Sequence, residues 1–195
     1  MRRGSILSFL LVSSAFLLGA CAPTDQEAEA TAAPESETQA APESETQAAP
    51  ALPDPDAGAV WQHLVASDYT SWSLWPGKGE RYPGSEPHGM LLTTYINDLA
   101  LDALTNGAGS MPVGAIIVKE NFMGDGTHAA TTVMYKAGGF DPAHNDWWWL
   151  KRDADGTIAA EGGPGGMAQM CIACHMGKTD NDYIFTSELG VAGGM

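Results

Sequence analysis

Asp146–His175 reads DWWWLKRDADGTIAAEGGPGGMAQMCIACH, and its order of elements decides the architecture. Asp146–Arg152, with three consecutive Trp, has the composition of a strand. Asp153-Ala154-Asp155-Gly156 is a turn, and Thr157–Glu161 a second strand. The glycine-rich loop Gly162–Gly166 then leads into a helix near Met167–Met176. That helix carries Cys171-Ile172-Ala173-Cys174-His175. A hairpin therefore feeds directly into a helix bearing a C-x-x-C-H motif.

The motif is the attachment signature of a c-type haem. Residues three apart share a helix face, so Cys171 and Cys174 can both reach the vinyl groups of one porphyrin. His175 follows at once and offers an imidazole nitrogen to the iron. Other readings of the pair are a disulfide, a thioredoxin-like redox couple and half of a zinc site. The redox couple needs a βαβ setting, which the chain does not show. Zinc needs further ligands, and no second Cys pair or paired-His motif supplies them. The complete motif points to one covalently held haem c.

Upstream of the hairpin the periodicity predicts a helix over 59–66 and a loop around Trp72–Gly77 with aromatic anchors. A strand is expected over His88–Asn97. Asp98 then caps a helix to Thr105, stopped by Asn106-Gly107. Further strands are expected over Val113–Asn121 and Ala130–Ala137, and a last short helix over Tyr183–Ser187. Strands in succession joined by short turns imply an antiparallel sheet. With helices at its ends and on one face, the class is α+β, with the haem helix near the C-terminus.

The N-terminus has a different character. Met1-Arg2-Arg3 is basic, and Ile6–Leu18 is apolar but short for a membrane span, which is the pattern of an export signal over residues 1–20. Leu18-Gly19-Ala20-Cys21 resembles the lipobox of bacterial lipoproteins, in which the Cys becomes the acylated N-terminus. Several acyl chains anchor stably where one does not. Ala22 follows, rather than Asp, which favours the outer membrane in Gram-negative lipoproteins. The expected location is the periplasmic side of the cell envelope. The three cysteines are thus divided between lipid and haem, with none left for a disulfide.

Residues 21–58 read as an acidic tether. Ala33–Ala40 is repeated as Ala41–Ala48, and the segment 22–58 has no Lys, Arg or aromatic residue. Such a composition cannot offset the entropy of folding, so disorder is expected there. Nine of the 24 acids lie in it, so much of the formal net charge of −15 belongs to the tether. The acidity argues against nucleic acid as a partner. One globular domain remains, over 59–195, long enough to bury a core.

Ordered blocks in this domain carry a family resemblance: His88-Gly89, Thr93–Ala100, Ile116–Asn121, Thr132–Lys136, Asp146–Leu150, Cys171–His175 and Asn181–Thr186. Together they resemble the cytochrome P-460 family, which includes the cytochromes c′-beta. The resemblance implies an antiparallel-sheet haem domain, often homodimeric. It implies iron bound by His175 and an axial position open to small nitrogen ligands such as nitric oxide or hydroxylamine. A redox partner protein is a further expected partner. In cytochromes P-460 a strand Lys in a V-K-E setting is linked to the porphyrin edge, and Val118-Lys119-Glu120 matches it. A strand Lys is otherwise usually solvated. Period-2 alternation puts Lys119 with Ala115 and Ile117, against Ile116 and Val118, and both faces read apolar.

The chain departs from the family in one respect. Hydroxylamine-oxidising relatives carry a distal acid in the loop before the haem motif, and Gly162–Gly166 and the residues up to Met170 contain none. Only Glu120 and Glu161 are candidates to reach across, and no catalytic residue is assigned. His88, His128 and His144, or one of Met90, Met111, Met123, Met134, Met167 and Met170, could instead fill the second axial position. That would make the protein a six-coordinate electron-transfer cytochrome. Lone His and Met residues are more commonly structural.

Overall fold

The computed structural model describes residues 51–191. Cys21, the signal and nearly all of the tether lie outside the described residues.

Helix α1, Ala57–Ala66, starts two residues before the expected boundary because Asp56 caps it: its Oδ1 accepts from Ala59 N at 3.0 Å. Two short strands follow, β1 at Ser73–Leu74 within the region expected as a loop and β2 at Tyr82–Pro83 beyond it. Both pair with β3, Leu91–Ile96, one with each end of it. Helix α2, Asp98–Asn106, is capped by Asn97 rather than Asp98, and Gly107 ends it at φ 63°.

Strands β4, Ile116–Phe122, β5, His128–Lys136, β6, Trp147–Asp153, and β7, Ile158–Gly162, complete the sheet. Its order is β1-β3-β4-β5-β6-β7, with β2 also on β3, and every pairing is antiparallel. The chain is therefore α+β, as expected. Helix α3, Gln169–His175, carries the cysteine motif and continues as a 3-10 helix over Met176–Asn181. The helix expected over 183–187 does not form. Asp182 and Tyr183 both take left-handed backbone, φ 50° and 68°, which ends helical propagation there.

Helices cover both faces of the sheet rather than one. Val60 and Leu64 of α1 pack with Ile116, Val118, Val133, Trp148 and Leu150. On the other face Ala100, Ala103 and Leu104 of α2 and Ile172 of α3 pack with Ile96, Ile117, Trp147 and Trp149. The three consecutive Trp thus divide between the two cores by strict alternation. All three are buried, and truncating one such side chain costs about 3–5 kcal/mol.

Candidate haem site

Strand register places the site. Thr94, Lys119, Thr132 and Lys151 form one cross-strand row, and Ile96, Ile117, Met134 and Trp149 the next. These residues share the face against which α3 packs. Lys119 therefore belongs to the motif-bearing side of the sheet, the choice that alternation alone left open. Lys119 is half-buried, and desolvation lowers its amine to about 8.

Ile172 anchors α3 by complete burial. Its neighbours Cys171, half-buried, and Cys174, exposed, are both free thiols. Burial raises the Cys171 thiol above its ordinary value. At the end of the helix the His175 ring is fixed by a hydrogen bond from Nδ1 to the Tyr183 carbonyl, 2.7 Å. That bond sets the tautomer and leaves Nε2 as the ring's metal-binding atom. The ring lies 4.7 Å from Trp149, 5.3 Å from Phe185 and 6.2 Å from His88, centre to centre. Burial lowers the pKa of His175, with the Lys119 charge acting in the same direction against the Tyr183 bond.

Tyr183 is held in turn by its neighbour. The buried Asp182 carboxylate accepts from Lys136 Nζ at 2.7 and 2.8 Å, Met111 N at 2.7 Å, Asn145 Nδ2 at 2.9 Å and Trp147 Nε1 at 3.2 Å. Its backbone carbonyl also accepts from Trp147 Nε1, at 3.0 Å. This hub keeps two consecutive residues in the left-handed region and aims the Tyr183 carbonyl at His175. Asp182, Trp149 and Phe185 escaped sequence reasoning. The block Asn181–Thr186 flagged the segment, but nothing in it distinguished a clamp from a surface turn.

The other His candidates are placed elsewhere. His128 bonds Thr131 and stacks edge-on with Phe122, and His144 pairs with Asp141 at 2.8 Å. Among the Met candidates, Met111 and Met134 pack in the core, while Met90, Met123, Met167 and Met170 are exposed. His88 alone of the three His faces His175. Burial, then the charges of Lys119 and His175, push its pKa down to about 4. The Asn121 side chain opposes this by favouring the protonated ring, although Asn121 Oδ1 makes no hydrogen bond of standard geometry.

Neither candidate acid reaches this face. Glu120 accepts from Tyr69 OH at 3.1 Å, and Glu161 accepts from Ala57 N at 2.8 Å at the start of α1, both on the opposite side of the sheet.

The residues present suit a haem. Two free thiols stand three apart on a helix, and an adjacent imidazole is fixed through one nitrogen. Against that imidazole lies Trp149, whose buried Nε1 has no acceptor. An unpaired buried donor costs about 1–3 kcal/mol, a deficit that a haem propionate could relieve. Among the described residues, no three His, Cys, Asp or Glu side chains converge into a cage for a bare metal ion. The fold and this site define a sheet-based haem protein rather than one of the all-helical cytochromes. The family model Cytochrome P460 matches residues 66–186, and the chain belongs to that family. It is therefore a cytochrome, a haem-iron protein. A comparison with curated proteins finds no match.

Proposed function

We propose that the protein is an exported, lipid-anchored c-type cytochrome that binds small nitrogen ligands at its haem. Cys171 and Cys174 would hold the single haem by thioethers, His175 would give the iron a nitrogen, and Lys119 would link to the porphyrin edge. Held there, a haem would supply an iron centre able to take nitric oxide or hydroxylamine. The chain's residues orient and enclose it. Tyr183 locks the His175 tautomer, while Trp149 and Phe185 wall the imidazole. Electrons pass to a redox partner protein on the periplasmic side.

The observation that carries the reading is the commitment of Glu120 and Glu161 to the far side of the sheet. Oxidising hydroxylamine releases protons as well as electrons, and a base within hydrogen-bond reach contributes about two orders of magnitude or more. With both acids turned away, the site favours binding nitric oxide over turning hydroxylamine over.

Anaerobic mixing of the ferrous protein with nitric oxide should shift the Soret band. Steady-state hydroxylamine oxidation with an artificial acceptor should be about 100-fold slower than with a placed base. Mass analysis of the haem peptide after acid–acetone treatment should recover Cys171, Cys174 and Lys119 on one porphyrin. No spectral change with nitric oxide would assign the protein to electron carriage instead. Haem extracted free of polypeptide would rule out the thioethers.

A further inference from the structure

His88 lies far from the haem motif in sequence, in the loop that precedes β3. The fold returns it to His175, with ring centres 6.2 Å apart and planes at 87°. Two imidazoles bound on opposite sides of one metal, each through a bond of about 2 Å, have ring centres about 6 Å apart. The observed separation matches that spacing. His175 has the Tyr183 carbonyl to fix its other nitrogen, and the Asn121 carboxamide near His88 carries a buried Oδ1 without a partner. A second oxygen partner of this kind is the usual companion of a metal-ligating imidazole. Asn121 is itself immobilised, since its Nδ2 donates to the carbonyls of Lys119 and Ala130, both at 3.1 Å. Its Oδ1 therefore remains the free acceptor.

We infer that His88 is the second axial ligand of the resting haem, opposite His175, and that a small nitrogen ligand enters by displacing it. This rests on the haem-site reading above and deepens it: the ligand position is closed at rest and opened by exchange. His175 stays bound because α3, the covalent attachment and the Asp182 hub all hold it. His88 sits on a loop, outside any helix or strand, with no covalent attachment beside it. A ligand competing with an internal imidazole binds in proportion to the fraction of open haem, so its apparent affinity and entry rate both fall.

The intact holoprotein provides the test. The resting ferric wild type should be low-spin and six-coordinate. Its electron paramagnetic resonance signal should be strongly anisotropic, as near-perpendicular imidazole planes require. This measurement needs no variant to fold. His88→Ala should be high-spin and five-coordinate, and free imidazole should restore the low-spin spectrum. Carbon monoxide binding to the ferrous wild type should level off at high ligand concentration, where His88 dissociation becomes limiting. In His88→Ala it should remain linear and be at least about ten-fold faster. A high-spin wild type unchanged by His88→Ala would overturn the inference and leave the nitrogen-ligand reading standing. A low-spin spectrum that persists in His88→Ala would also overturn it, and its loss in Lys119→Met would assign the position to the amine. A His88-dependent low-spin haem that nitric oxide cannot displace would uphold the ligation and defeat the nitrogen-ligand reading.

Discussion

Single side chains decide what the haem face can do. Glu120 illustrates this by being turned away: it holds Tyr69 on the α1 side of the sheet, while its neighbour Lys119 faces the haem motif. Burial first, and then the Glu120 charge and hydrogen bond, push the Tyr69 phenol up to about 12. The folded state therefore keeps the Tyr69 proton at a pH where the unfolded chain, titrating near its ordinary value of 10.0, has begun to lose it. The associated stability is fully present below about pH 10 and is lost as pH rises through about 12. Tyr69→Phe should cost about 1–2 kcal/mol at neutral pH. It should also make the decline in urea midpoint between about pH 10 and 12 shallower. Tyr82, Tyr95, Tyr135 and Tyr183, whose phenols are also raised, would retain part of that decline. An unchanged slope would show that the Tyr69 proton is not coupled to folding.

The segment after α3 works as an element through one carboxylate. Asp182 gathers four donors, whereas Lys136 contributes one of them, over the face of Trp147 at 4.7 Å. Removing one member of a buried ion pair typically costs about 3–5 kcal/mol. The two halves should nevertheless differ. Lys136→Met leaves the carboxylate three donors, while Asp182→Ala strands a buried ammonium and takes the acceptor from Met111 N and Asn145 Nδ2, with Trp147 Nε1 keeping the Asp182 carbonyl. Asp182→Ala is therefore expected at or above the upper end of that range and Lys136→Met at or below the lower end, read from urea midpoints. Asp182→Ala should also broaden the haem spectrum, because the Tyr183 carbonyl would no longer be held at His175. Equal costs for the two variants would mean that the ion pair alone, and not the donor hub, carries the segment.

For the whole molecule, the proposed anchoring to the cell envelope has its own test. No helix among the described residues is long and apolar enough to cross a membrane. Attachment, on the proposed reading, rests on acyl chains at Cys21. Cys21→Ser should move the haem protein from the detergent-extracted membrane fraction to a soluble or unprocessed form, followed by haem absorbance and intact mass. The haem spectrum should not change, since the sheet, α3 and the hub are built from residues far along the chain. Wild-type protein that already fractionates as soluble would exclude the anchor.

Contiguous chemistry was legible without coordinates. The C-x-x-C-H run points to a haem because two thiols and an imidazole stand on neighbouring residues of one helix. The hairpin at Asp153–Gly156 and the alternation of Trp147, Trp148 and Trp149 were legible because strand periodicity and turn chemistry are local. The side on which Lys119 faces was not. Ile116 and Val118 are as apolar as Ile117, and only the seating of α1 on one core and α3 on the other breaks the tie. The missing helix at 183–187 has a similar cause: Asp182 takes left-handed backbone, with donors from Met111, Lys136, Asn145 and Trp147 gathered on its carboxylate. His88 beside His175, and both candidate acids on the wrong face, follow from pairings between distant strands. Local patterns carry composition and period, but the meeting of distant side chains depends on register and burial, which exist only once the sheet is assembled.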